Sequence, residues 1–327
     1  MSTRWRRRHL AVLAAIALIP LMLGATPPNR QMRWIMGTFW EIDTPDAPSP
    51  VAMAAAFDEI RRLDDLLSHY KADSALSKLN AAGQGTVVPE LAGLIARSLA
   101  YSRESRGAFD ITVAPLVEAW GFKDMVTRLP TPEALRQARA VVGWRRVTVS
   151  GNAVRLAPGT RLEFGAIGKG YALDRAMQVL TSHGIRRARI DAGGQHLVRG
   201  TWTIGIEHPR QDRILGRLTI TDGSVSTAGD ADRFFEHAGI RYNHHIDPRT
   251  GWASTGYPCV TVVAPTAESA DALSTLATIA GPTEAGPILK AHKAEALWYD
   301  SEGQLVTTPG FRWQREPDAS PDPATGN

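Results

Sequence analysis

Cysteine is almost missing from this chain. Cys259 is the single one among 327 residues, so no intramolecular disulfide can form in any redox compartment. Its surroundings, Pro258-Cys259-Val260-Thr261-Val262-Val263, read as a strand, which makes the thiol a small buried hydrophobe rather than a nucleophile. There is no G-x-S-x-G, so a secreted hydrolase built on a serine elbow has no support. An excess of one charge is missing as well. The formal charge is +4, and Arg4, Arg6, Arg7 and Arg8 supply all of it, leaving residues 10–327 neutral. Without a basic patch, nucleic acid is excluded as a partner. The apolar stretch Leu10 to Leu23 has 14 residues, short of the ~20 that a membrane-spanning helix needs. No fixed-period repeat is visible, which removes solenoids and propellers.

What is present is an ordinary globular composition, 43% hydrophobic and 21% charged, with chain enough for a substantial core. Residues 1–25 read as an export signal: Arg6-Arg7-Arg8, the apolar stretch, then Gly24-Ala25 before Thr26-Pro27-Pro28. Arg7-Arg8-His9-Leu10 resembles a twin-arginine signal, with general secretory export as the alternative. A periplasmic location is the expectation, with membrane contact limited to an uncleaved leader or a membrane-bound partner. Ser49-Pro50 starts a helix with Met53, Phe57, Ile60, Leu63 and Leu67 on one face. A second helix spans about Pro89 to Arg106 before Gly107, and a third opens at Thr131-Pro132. Residues 146–156 read as a hairpin turning at Ser150-Gly151-Asn152, and a helix is expected from about Lys169 to Gly184. Strand patterns follow at 187–191, 202–206, 215–221 and 257–263, and Thr266 caps a helix ending before Gly281-Pro282. Helices and strands mix without regular alternation, so the expected fold is α+β: one mixed domain over 30–312 with predominantly antiparallel sheets, and a disordered tail over 313–327.

Four segments carry possible chemistry. Gly165-Ala166-Ile167-Gly168-Lys169-Gly170 can bring backbone amides close to an anion or can simply turn a strand into a helix. Its G-x-x-G-x-G spacing is neither the dinucleotide nor the P-loop fingerprint. Asp191 precedes Gly193-Gly194 at a strand end. His244-His245-Ile246-Asp247-Pro248-Arg249-Thr250-Gly251 offers an imidazole three residues from a carboxylate, a possible general base. If these two histidines lie on a strand, they point to opposite faces and only one is chemical. Asp271 and Thr275 share a helix face and form either two oxygen ligands for a hard cation or an ordinary solvent-facing pair.

In order and identity, these segments resemble the FAD:protein FMN transferase (ApbE) family. Further matching blocks are Met36-Gly37-Thr38, Tyr70 with Asp73 to Asn80, Gly107 to Val113, Gly165 to Asp174, Ser224 to Asp230 and Ala270 to Thr275. The resemblance implies a T-fold-related domain that takes FAD as substrate. It also implies Mg²⁺-dependent transfer of FMN to a Thr or Ser of an exported acceptor carrying Asp-Gly-x-Thr/Ser-Gly-Ala-Thr/Ser, with release of AMP. By the same resemblance, Met36, Tyr70, Ala108, Phe109, Asp110, Lys169, Asp174, Asp191, Thr227 and Ile246 belong to the FAD site. Ala166, through its carbonyl, and the side chains of Asp271 and Thr275 match the Mg²⁺ ligands, and His244 matches the catalytic position. A flavin-binding maturation protein and an FAD pyrophosphatase are the alternatives.

Overall fold

The computed structural model describes residues 29–317 except 124, 125 and 232. The expected signal segment, 1–25, lies outside the described residues. The fold begins with a hairpin, β1 (Arg30–Ile35) and β2 (Thr38–Asp43), closed by Met36 and Gly37 at φ 51° and 73°. Two positive φ values in a two-residue turn match the twist of the strands that it joins. The Ser49 side chain caps α1 (Pro50–Leu67) by accepting from the Ala52 amide, and the expected apolar stripe is buried from Met53 to Leu67. Then come α2 (Ala75–Ala82), β3 (Gln84–Thr86), α3 (Pro89–Glu104), α4 (Ala114–Ala119) and α5 (Pro132–Ala140), the last capped by Thr131. β4 (Val147–Ser150) and β5 (Ala153–Leu156) form the expected hairpin, and β3 joins them in a small sheet.

α6 (Gly168–Ser182) leads into β6 (Ala188–Ala192), β7 (Gln195–Glu207) and β8 (Ile214–Gly229). Among the described residues β9 (Phe234–His237) and β10 (Ile240–Asn243) form a two-stranded sheet of their own, and β11 (Cys259–Ala264) returns to the main sheet. The chain finishes with α7 (Ala267–Ala291), β12 (Glu295–Tyr299), β13 (Leu305–Thr307) and β14 (Gln314–Arg315). The main sheet is antiparallel throughout, in the order β1-β2-β6-β7-β8-β11-β12-β13, with β14 also on β8.

One face of the sheet packs on α1 and α6 through Trp40, Ile42, Phe57, Ile60, Leu173 and Ile190, and α7 covers the β11 side through Val260, Val262, Leu273 and Leu276. The opposite face buries Ile204, Ile206, Leu215 and Leu218 beneath Phe311 and Trp313. A separate cluster around Leu116, Trp120 and Phe122 supports the β9–β10 hairpin through Phe235 and Tyr242.

The expected α+β fold with antiparallel sheets is what the chain forms, with three differences of extent. β7 and β8 run well past 202–206 and 215–221, because Gly200 and Gly223 interrupt the apolar pattern without ending the ladder. A register shift between Val198 and Thr201 absorbs the irregularity. α7 passes the expected stop and kinks at Gly281 (φ 70°, ψ 176°), where Pro282 starts a second helical stretch. Beyond residue 312, Gln314 and Arg315 pair with Arg217 and Gly216 of β8, so the structured domain extends past that boundary; residues 318–327 lie outside the described ones.

Candidate active site

The site forms where α6 begins against the side of α7. Gly168 closes the preceding turn by donating its amide to Phe164 O at 2.7 Å. At Gly170 the two helices approach so closely that a Cβ would collide with the Ala267 carbonyl and lie 2.7 Å from Asp271 Cβ. This contact explains the third glycine of the G-x-x-G-x-G block. The gap that it leaves unfilled lets the Gly170 amide donate to Asp271 Oδ2 at 2.9 Å. Gln195, the first residue of β7, donates its Nε2 to Asp271 Oδ1 at 2.5 Å. Asp271 is 2% exposed and forms no ion pair among the described residues. Burial raises its pKa, and the nearby Lys169 ammonium, the Gly170 amide and Gln195 pull it back. Thr275 stands one turn further along α7, half-buried, and Ala166 packs against the core just before α6.

Lys169 lies close enough to bias four groups at once: Asp271, Glu163, His244 and His245. Glu163 was not singled out by the sequence. Burial pushes its carboxyl up to about 7 against the pull of Arg233 and Lys169, and no hydrogen bond or ion pair holds it among the described residues. Its one sequence signal is an acid two residues before Gly165, which spacing alone does not set apart.

The two histidines do not sit on opposite faces of a strand. β10 ends at Asn243, the chain bends at His244, and the two imidazoles lie 4.0 Å apart with their planes tilted by 41°. His244 is half-buried, its Nδ1 3.4 Å from Arg233 O and its amide donating to the same carbonyl at 3.2 Å. Burial, then His245 and Arg233, hold it neutral well below the ordinary imidazole value. His245 is 7% exposed, its Nδ1 has no partner among the described residues, and burial beside Lys169 lowers it to about 4. Asp247, the carboxylate that spacing had offered to the histidine, is taken instead by Arg249, whose Nε and Nη2 donate at 3.0 Å. It closes its own turn, not a His–Asp pair.

Other expected site residues fall into three groups. Met36 stands at the β1–β2 turn beside the Gly193 turn, where a Cβ on Gly193 would meet the Thr38 side chain. Tyr70 is 57% exposed and stacks on His69 at 3.9 Å; burial and Lys123 lower that imidazole to about 4. Ala108, Phe109 and Ile246 bury their side chains in the core, so only their backbones are available to a ligand.

The remaining four are committed or turned elsewhere. Asp110 is buried and accepts from the Thr112 amide and hydroxyl and from the Trp144 amide, at 2.7–2.8 Å. Asp174 caps α7, accepting the Ala267 and Glu268 amides at 2.9 Å each, and thereby sets the helix that carries Asp271. Asp191 and Thr227 occupy the sheet face away from α7, since the adjacent Ile190 and Ser226 are the residues that face the helices. Asp191 closes the β6–β7 turn through the Gly194 amide, and Thr227 shares a hydroxyl contact with Thr261 at 2.9 Å. The structure therefore does not bring Asp174, Asp191 or Thr227 to the Asp271–Lys169 cluster by their side chains.

A family model described as the ApbE family matches residues 36–298. The FAD:protein FMN transferase of Rhodobacter capsulatus is 32% identical over 335 residues, covering 95% of this chain, which spans 63% of that relative's length. That of Treponema pallidum is 32% identical over 274 residues, covering 75% of this chain and 76% of the relative. Among solved structures, the ApbE protein of Thermotoga maritima superimposes with a TM-score of 0.80 at 28% identity, over 86% of this chain and 96% of that one. The apo flavinyl transferase ApbE of Pseudomonas stutzeri gives 0.76 at 29% identity, over 85% and 93%. With the glycine-backed Asp271, the Lys169 cluster and the family match falling on the same stretch of chain, this protein belongs to the ApbE family.

Proposed function

We propose that the chain is an FAD:protein FMN transferase that uses Mg²⁺ to move FMN from FAD to a Thr or Ser hydroxyl of an exported acceptor protein. The observation that carries this reading is a buried carboxylate, Asp271, clamped by the Gly170 amide and Gln195 and in no ion pair among the described residues, with the Lys169 charge acting both on it and on a pair of neutral imidazoles. A buried carboxylate that no direct ion pair meets is costly. The all-oxygen donor set of the Asp271 carboxylate, the Thr275 hydroxyl and the Ala166 carbonyl suits a hard divalent cation. When bound there, Mg²⁺ would offset the charge of the FAD diphosphate and of departing AMP.

The chain's own residues do the rest. The acceptor's hydroxyl oxygen forms a bond to the FMN phosphorus as the phosphorus–oxygen bond to AMP breaks, AMP keeping that electron pair. His244, held neutral by burial, takes the hydroxyl proton. The His245 ring packs 4.0 Å from it, and Lys169 would bring positive charge to the diphosphate. With water in place of the acceptor, the same site would release FMN and AMP. Export to the periplasm belongs to this reading through the arginine-rich leader at 1–25.

The test incubates the chain with FAD, Mg²⁺ and an exported protein carrying Asp-Gly-x-Thr/Ser-Gly-Ala-Thr/Ser. Flavin fluorescence that stays with the acceptor band after denaturation is the expected result. A dark acceptor band beside free FMN would leave only the hydrolytic reading.

A further inference from the structure

Gln195 is 7% exposed, yet only half of its amide is satisfied. Its Nε2 donates to Asp271 Oδ1 at 2.5 Å, while its Oε1 is buried with no hydrogen-bond partner among the described residues. Leaving a buried acceptor unpaired costs about 1–3 kcal/mol, so the position holds something that the protein alone does not complete. Alternation along β7 fixes the direction of the side chain. His196 turns toward Asp191 on the far face, whereas Gln195 shares its side with its Cα partner Ser226, whose hydroxyl meets Ser274 of α7 at 3.0 Å. Gln195 therefore reaches the Asp271 side of the sheet from a different element than Gly170, and the two donors grip the carboxylate from two directions.

Resting on the cation reading above, we infer that Gln195 is a positioning residue for the divalent cation: Nε2 fixes the Asp271 carboxylate, and Oε1 accepts a hydrogen bond from water in the cation's shell. Mg²⁺ sheds water reluctantly and keeps several of its waters in protein sites. Those waters only donate outward, so an acceptor is the group they require. A carboxylate at 195 would accept equally well, but when ionised it has no N–H for Asp271. The amide supplies one donor and one acceptor without adding a second buried charge beside that of Asp271.

Mn²⁺ titrated into the full chain saturated with FAD, and followed by electron paramagnetic resonance, tests this. Gln195→Leu is expected to weaken Mn²⁺ binding by roughly 10–100-fold while the metal-free thermal midpoint changes little, because the lost hydrogen bond to Asp271 is set against removal of the unpaired Oε1. Gln195→Glu, which keeps the length and the outer oxygen, is expected to bind Mn²⁺ more tightly than Gln195→Leu. Parental affinity in Gln195→Leu overturns the inference, and so does a Glu variant as weak as the Leu variant. A parent chain that binds no Mn²⁺ brings down the cation reading itself. A parent that binds beside variants that bind equally well brings down only the role of Gln195.

Discussion

His244 and Glu163 show how burial, rather than a charged partner, tunes this site. The ordinary imidazole value is 6.5, and desolvation puts His244 well below it. The base then stays neutral as pH falls through 6.5, so the acid limb of kcat/KM for transfer is expected on the acid side of 6.5. A limb above that value would point to a different group. His244→Ala is expected to lower transfer by roughly 10²–10⁴-fold with FAD affinity kept, as measured by fluorescence quenching. Glu163 moves the other way, from 4.5 up to about 7. The native state binds this proton more tightly than the unfolded chain, so its contribution is full below 4.5 and is lost as pH rises through 7. Glu163→Gln should therefore melt higher than the parent at pH 8, with the gain fading toward pH 5. An equal gain at both values would assign it to packing. The sequence offered His244 through its motif neighbours but could not offer Glu163, whose raised pKa comes from burial that only the folded chain creates.

At the scale of elements, the α6–α7 contact decides whether Asp271 stands where the site needs it. Gly170→Ala drives a methyl into the Ala267 backbone, which no rotamer can relieve. The expected cost is about 1–3 kcal/mol, read as a lower thermal midpoint, together with a weaker response of the rate to Mg²⁺. A variant as stable and as metal-responsive as the parent would mean that the helices do not meet as described. Helices were the legible part of this chain. Caps at Ser49, Thr131 and Thr266 and the stripe from Met53 to Leu67 announce themselves locally. The length of β7 and β8 was not legible, because cross-strand pairing carries them past glycines that read as stops. The pairing of Asp247 with Arg249 rather than with a histidine was hidden for a similar reason: a turn's internal bonds depend on its backbone, not on spacing.

Across the whole molecule, the site joins parts of the chain that are far apart. Residues 163–170, 195, 244–245 and 271–275 meet because the sheet and its helices fold the chain back on itself, so the set emerges only with the tertiary structure. The last described strand closes the far face: Trp313 lies against Gly216, and the Glu316 amide donates to Leu215 O at 3.0 Å. Ending the chain after Arg312 should expose Leu215 and Leu218 and cost about 2 kcal/mol, a drop of several degrees in the thermal midpoint, while flavin transfer at low temperature persists. Loss of transfer without loss of stability would place that strand in the chemistry.

Cys259 ends up in the core strand beside Gly229, 3% exposed, its thiol pushed up to about 12 by burial. Alkylating and maleimide reagents attack thiolates, so the native protein offers them almost nothing to react with. A cysteine placed at Ala238, on the exposed tip of the β9–β10 hairpin that carries His244 at its base, would be the one accessible thiol in the chain. A single dye or spin label there would report how that hairpin stands while FAD and the acceptor come and go, with no background to subtract.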